Sequence, residues 1–153
     1  MRTLKLSKAF TLIEPGPVVL VTTFDGRKNN VMTITWTMVL DFTPRFALAT
    51  GAWNYSFRAL DKTRECVLAI PGADLLDTAV GIGTCSGADV DKFAKFNLTP
   101  VPAKIVRAPL IQECLAITRA VQEREQISLK RIQLDAEVPD ARCKTTGGGH
   151  MPR

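Results

Sequence analysis

The sequence has only one histidine among its 153 residues, and that histidine is His150, near the C-terminal end. A Ser-His-Asp triad and a histidine metal cluster both need imidazoles inside the folded part of a chain. The four cysteines, Cys66, Cys85, Cys114 and Cys143, lie far apart, and no pair has the spacing of a zinc or redox motif. We therefore expect no metal site, no acid-base catalytic side chain, and reduced thiols in a cytoplasmic protein.

Long apolar segments and runs of one charge are also missing. The N-terminal stretch "MRTLKLSKAFTLIEPG" has no apolar core long enough for a signal peptide, and no window approaches the length of a membrane span. The formal net charge is +5, yet the Lys and Arg residues are scattered singly and form no basic stripe. These absences argue against a membrane partner and a nucleic-acid partner.

Aromatic side chains are absent from the last third of the chain, because every Phe, Trp and Tyr lies at or before Phe96. The C-terminal stretch "PDARCKTTGGGHMPR" is polar and rich in glycine, as disordered segments are. We expect one domain over residues 1–138 and a disordered tail over residues 139–153. A register shift at Lys130-Arg131 indicates a β-bulge before the tail.

Alternating and β-branched segments dominate the remaining sequence. "PVVLVTT" predicts a strand from Val18 to Thr23, and an Asp25-Gly26 turn joins it to a longer strand from about Asn30 to Leu40. "RFALAT", "ECVLAIP" and the segment from Leu110 to Val121 predict further strands. "WNYSFRALDKTRE", "GADLLDTAVGIG" and "SGADVDKFAKF" predict short helices, the second ending at Gly81. The pattern is mainly β with short inserted helices, typical of a small antiparallel α+β barrel.

The stretch "NVMTITWT" within the second strand poses a functional question. Alternation divides the strand between two faces, with Val31, Thr33, Thr35 and Thr37 on one and Met32, Ile34, Trp36 and Met38 on the other. The hydroxyl face is either a plain solvated sheet surface or the floor of a site for a flat polar ligand. The apolar face, which includes Trp36, is expected to lie in the core.

Six motifs in order resemble the flavin reductase-like family, the FMN-binding split barrels that include flavoredoxin. They are "PVVLVTT", "NVMTITWT", "NYSFRAL", "ECVLAIP", "SGADVDKF" and "LTPVPA". The resemblance implies an antiparallel split β-barrel and a homodimer that holds FMN non-covalently near the interface. Because relatives continue with aromatic-rich strands, we hypothesise that the C-terminal strands here are incomplete.

The resemblance also implies flavin contacts along the second strand. Thr33, Thr35 and Thr37 become candidate partners of the isoalloxazine ring through hydroxyl or backbone groups, because the polar ring edge must be paired again once it loses water. Trp36 is a weaker candidate for ring contact.

Two helix starts supply the other candidate cofactor residues. Asn54 and Ser56 stand where a helix N-terminus favours a phosphate, although both residue types also cap helices without any ligand. Ser86 and Gly87 are candidates for a backbone concavity over the flavin, and Lys92 for offsetting the phosphate charge. The alternative for this second group is a capped helix with a solvated lysine.

The function implied by the resemblance is that of an oxidoreductase that passes hydride from NAD(P)H to FMN and electrons onward to an acceptor, such as a partner oxygenase. Two alternatives stay open. One is a non-enzymatic FMN-binding electron shuttle, and the other is a flavin-free dimeric barrel with a structural or interaction role. No motif in the sequence is of the kind that recognises the 2′-phosphate of NADPH, so the sequence does not distinguish NADH from NADPH as the co-substrate.

Overall fold

The computed structural model describes residues 16–40, 42 and 46–121 of the chain. Its strands are β1 (Val19–Phe24), β2 (Asn29–Ile34), β3 (Thr37–Val39), β4 (Phe46–Leu48), β5 (Glu65–Ile70), β6 (Pro100–Val101), β7 (Leu110–Ile111) and β8 (Ala116–Val121). Its helices are α1 (Tyr55–Thr63), α2 (Leu76–Gly83) and α3 (Lys92–Lys95), with a 3₁₀ turn at Ala73–Leu75. The prediction of a mainly β chain with short inserted helices is confirmed.

The central sheet is antiparallel, with the strand order β2-β1-β5-β8. The predicted hairpin is present, since β1 and β2 pair from Val19 opposite Ile34 to Phe24 opposite Asn29. The Asp25 carboxylate fixes the turn by accepting from the backbone N–H groups of Arg27 at 2.7 Å and Lys28 at 2.8 Å. Among the described residues, β2 pairs only with β1 in this sheet, so β2 is an edge strand.

Both faces of the central sheet are covered by apolar contacts. On one face Leu20 and Val31 pack with Ile82 of α2, and on the other Val21 and Met32 pack with Leu60 of α1. The predicted alternation along β2 holds, since Val31 and Met32 pack on opposite faces. The expectation that the face of Val31 is lined with hydroxyls is wrong at this end of the strand, because Val31 is fully buried.

The predicted strand from Asn30 to Leu40 is two strands in the structure. β2 ends at Ile34, and β3 begins at Thr37 and pairs with β4 in a separate two-stranded sheet. Trp36 and Met38 are 47% and 62% exposed, so their expected place in the core is wrong. The chain leaves the central sheet after Ile34. Alternation within β2 therefore does not predict which side chains of β3 are buried.

Other boundaries differ in smaller ways. The segment predicted as one strand from Leu110 to Val121 is divided by a turn into β7, which pairs with β6, and β8, which pairs with β5. Helix α2 continues to Gly83, two residues beyond the predicted end. The predicted bulge at Lys130-Arg131, the tail at 139–153 and the domain boundary at 138 lie outside the described residues. Within the described part, no helix has the length and apolar character needed to cross a membrane.

Candidate functional site

An open pocket of about 230 Å³ lies along the edge strand β2. The strand forms one wall, the segment before α1 forms a second, and the connection from α2 to α3 forms a third. We call it the β2 pocket. Of the residues predicted from sequence, the structure brings these to its lining: Thr33, Asn54, Ser86, Gly87 and Lys92.

The other predicted residues lie elsewhere. Ser56 lines a smaller neighbouring cavity of about 170 Å³, between α1 and the turn that joins β1 to β2. Thr35, Trp36 and Thr37 do not line either space, because they lie at and after the break between β2 and β3. Their role as flavin partners stays a prediction.

Thr33 reaches the pocket from β2 and is hydrogen-bonded to α2. Its hydroxyl donates to the carbonyl oxygen of Ala79 in α2 at 2.5 Å, so the hydroxyl hydrogen is already used and its lone pairs remain to accept. This wall therefore offers a hydrogen-bond acceptor to a ligand.

The start of α1 is capped from within the chain. The Asn54 side chain accepts from the backbone N–H of Ser56 at 3.0 Å, which confirms that Asn54 caps this helix. Ser56 is only 1% exposed, and its hydroxyl accepts from the side-chain amide of Asn30 at 2.7 Å. The hydroxyl keeps one hydrogen to donate.

Asn30 is a site residue that sequence reasoning missed. It is 5% exposed, lines the β2 pocket, and its side-chain oxygen has no hydrogen-bond partner among the described residues. Gly87 lies directly against it, since a Cβ on that glycine would stand 2.1 Å from the Asn30 side-chain oxygen. The available signal was the unusual presence of an amide side chain at the first buried position of a strand.

Lys92 carries a buried positive charge into the pocket wall. The residue is 6% exposed, and its ammonium group donates to the carbonyl oxygen of Ile82 at 2.8 Å. Burial lowers the pKa of Lys92, and the neighbouring Cys85 opposes that shift. Among the described residues no carboxylate pairs with it, so two of its three donors are left for another partner. The alternative of a solvated lysine is wrong.

The sequence matches the family model described as the flavin reductase like domain over residues 13–138. The chain belongs to the flavin reductase-like family. An uncharacterized Escherichia coli K12 protein, YddH, is 30% identical over 117 residues, covering 74% of this chain and 62% of that protein. The chain spans 51% to 63% of the length of three curated relatives that it matches.

Solved structures from this flavin reductase-like family share the fold. Flavoredoxin of Desulfovibrio vulgaris (Miyazaki F) is 25% identical, with a TM-score of 0.61, covering 80% of this chain and 74% of that one. An FMN-binding domain of a flavin reductase-like enzyme from Shewanella baltica OS155 is 23% identical, with a TM-score of 0.67, covering 81% and 66%. The predicted family and split-barrel fold are confirmed.

The residues of the β2 pocket fit the flavin that this family binds. The free side-chain oxygen of Asn30 needs a donor, and an FMN molecule offers ring and ribityl hydrogens. The buried Lys92 ammonium needs an electron-rich or anionic partner, and FMN offers carbonyl and phosphate oxygens. Among the described residues, no group of three or more His, Cys, Asp or Glu side chains that could hold a metal ion is found.

Proposed function

We propose that this chain binds FMN non-covalently in the β2 pocket and acts as an NAD(P)H-dependent flavin reductase in the cytoplasm. When bound, FMN supplies the redox chemistry by accepting hydride from NAD(P)H and giving electrons to an acceptor. The observation that carries the proposal is the buried, incompletely paired ammonium of Lys92 in the pocket wall. A buried charge of this kind is costly unless a partner completes it.

The protein's part in this reaction is to bind and orient the cofactor. Lys92 supplies the charge, and Asn30 supplies a free acceptor that selects a ligand with a matching donor. The N-terminus of α1, with its positive dipole end, would hold the phosphate, and Thr33 on β2 would pair with the polar rim of the ring. Hydride transfer needs no acid or base from the protein, which suits a site with no histidine among its lining residues.

We also propose that the working form is a homodimer that meets through the β3–β4 region. The exposed apolar side chains of this region, which we call the β3–β4 patch, are Trp36, Met38, Val39, Leu40, Phe42 and Phe46. Monomeric proteins seldom expose so many large apolar side chains together. A second copy of the chain is the occupant we favour, because an apolar surface of this kind can bury itself against its own symmetry mate.

A second candidate function is an FMN-binding electron shuttle that does not oxidise NAD(P)H. The similarity to flavoredoxin favours it, since that protein is 25% identical and shares the fold. Both candidates need flavin in the β2 pocket. They differ in whether a reduced nicotinamide can approach the exposed face of the ring.

The experiment that separates them is anaerobic reduction of the FMN-loaded protein. We expect NADH or NADPH to bleach the visible flavin absorbance at a rate on the order of 1 s⁻¹ or faster, as in typical enzymes. A shuttle would be bleached by a chemical reductant and only very slowly by either nicotinamide. A chain that retains no flavin after incubation with excess FMN would contradict both functions and support the flavin-free barrel.

A further inference from the structure

Lys28 lies outside the β2 pocket yet touches the loop that forms its third wall. Its ammonium donates to the carbonyl oxygens of Gly87 at 3.0 Å and Val90 at 3.3 Å, which are far away in sequence. Lys28 lines the smaller cavity beside α1, not the β2 pocket. Any influence on a flavin in the β2 pocket must therefore pass through the loop it holds.

The loop is a tight turn over residues 86–90, which we call the 86–90 turn. The Ser86 carbonyl accepts from the N–H groups of Asp89 and Val90, both at 3.2 Å, and the Ser86 hydroxyl accepts from Ala88 N–H at 3.2 Å. These bonds shape the turn internally. They do not attach it to the sheet.

Attachment to the sheet comes from Lys28, which directly precedes β2, and from Asn30 within β2. Both side chains reach the 86–90 turn. Lys28 holds the carbonyls of the turn, and Asn30 presses against Gly87 so closely that a Cβ there would stand 2.1 Å away. Lys28 therefore attracts the turn, and Asn30 limits how closely the turn can approach the sheet.

The position of the 86–90 turn also fixes Lys92. Asp91 follows the turn directly and caps α3 by accepting from the N–H groups of Phe93 at 3.0 Å and Ala94 at 3.3 Å. Lys92 begins this short helix, and its buried ammonium enters the pocket wall from there. A shift of the turn would move both the concavity at Gly87 and this charge.

We propose that Lys28 is a positioning residue for the flavin pocket, which holds the 86–90 turn against the sheet so that the turn and Lys92 are preformed before the ligand arrives. This inference rests on the proposed FMN site. A pocket whose walls are already in place loses less conformational entropy when it binds a ligand. The Lys28 ammonium suits this role because hydrogen bonds from a charged donor are stronger than those between neutral groups. Lys28 therefore acts on affinity without contacting the flavin.

The test compares Lys28→Met with Lys62→Met, because Lys62 donates to the Asp25 carbonyl in the same hairpin turn at 3.1 Å but does not reach the 86–90 turn. We expect Lys28→Met to weaken binding of FMN and of riboflavin alike, each by about tenfold, as loss of a charged hydrogen bond implies. Lys62→Met should stay within about twofold of the wild type, and Lys28→Arg, which keeps the charge and donors, should restore most of the affinity.

A second readout needs no flavin. In the free protein, amide hydrogen exchange at Ala88, Asp89 and Val90 should speed up in Lys28→Met and not in Lys62→Met, because opening of the turn becomes easier. Lys28→Gln, which keeps one donor, replaces Lys28→Met if the latter does not fold, and it should give an intermediate effect.

Three results would overturn the inference. The first is equal exchange and equal affinity in the two lysine-to-methionine variants. The second is weakened FMN binding with unchanged riboflavin binding, which would mean direct attraction between Lys28 and the phosphate. The third is faster exchange of the turn with unchanged binding of both flavins. Failure of the proposed function looks different, because the wild-type chain would then bind neither flavin.

Discussion

The side-chain amide of Asn30 donates to the hydroxyl of Ser56 at 2.7 Å, and this buried bond joins the edge strand of the sheet to the first turn of α1. It links the two elements that border the pocket on one side. Its strength comes from burial, because neither group can turn to water when the other is removed.

Removing the Ser56 hydroxyl should therefore destabilise the fold. We expect Ser56→Ala to lower the free energy of unfolding by about 1–3 kcal/mol, since it leaves a buried amide without an acceptor. Thr84→Ala is the matched control, because its exposed hydroxyl donates to Gly81 at 2.9 Å and water can replace it. Urea unfolding followed by circular dichroism measures both. Equal stability of the two variants would show that the bond contributes little.

A methyl group at Gly87 should disturb the pocket. Gly87→Ala would place its Cβ 2.1 Å from the Asn30 side-chain oxygen, so the 86–90 turn or Asn30 must move, and FMN affinity should fall by about tenfold or more. Ala88→Ser is the control, because Ala88 is exposed in the same turn and does not line the β2 pocket. Fluorescence titration of both variants with FMN tests this. Wild-type affinity in Gly87→Ala would mean that the turn is not held where the structure places it.

The charge on Lys92 should make flavin binding depend on pH. Burial lowers its pKa from the ordinary lysine value, so the neutral amine appears at lower pH than for an exposed lysine. The attraction that depends on the ammonium is greatest at pH values below the lowered pKa and declines as pH rises through it. We expect FMN affinity to fall with rising pH in the wild type and in Lys95→Met, which alters an exposed position of the same helix.

In Lys92→Met that decline should vanish, and the affinity should be low at every pH. Titrations from neutral to alkaline pH on the three proteins measure the effect. Parallel pH curves for the wild type and Lys92→Met would remove Lys92 from the account of binding.

The β3–β4 patch should govern the oligomeric state. Met38→Glu puts a carboxylate into the proposed interface, where burying it unpaired would raise the dimer dissociation constant by at least about tenfold. Val80→Glu is the control, since Val80 is a similarly exposed apolar residue on α2. Light scattering coupled to size-exclusion chromatography gives the masses. A monomeric wild type, or a Met38→Glu dimer as tight as the control, would contradict the proposed interface.

Local signals predicted much of this fold, and long-range packing decided the rest. The β1–β2 hairpin was predictable from its alternation and its Asp25-Gly26 turn, and the Asn54 cap from ordinary helix chemistry. The break after Ile34 was not, because "NVMTITWT" alternates through it and only pairing with β4 shows that Thr37 belongs to another sheet. Trp36 was misplaced for the same reason.

The site shows the same division. Ser86, Gly87 and Lys92 were found by their place in a motif, but the burial of Lys92 depends on its contact with Ile82 of a different helix. Asn30 and Lys28 were missed because their importance lies in contacts with residues about sixty positions away. Apart from the unusual amide of Asn30 at the start of a strand, the sequence carries no local sign of such contacts.

The central claim is that the β2 pocket holds FMN, and titration of the wild-type chain with FMN, followed by flavin fluorescence, tests it most directly. The account predicts saturable quenching at one site per chain, weakened by about tenfold or more in Lys92→Met and unchanged in Lys95→Met. No saturable quenching by the wild type, or equal quenching by both variants, would contradict it.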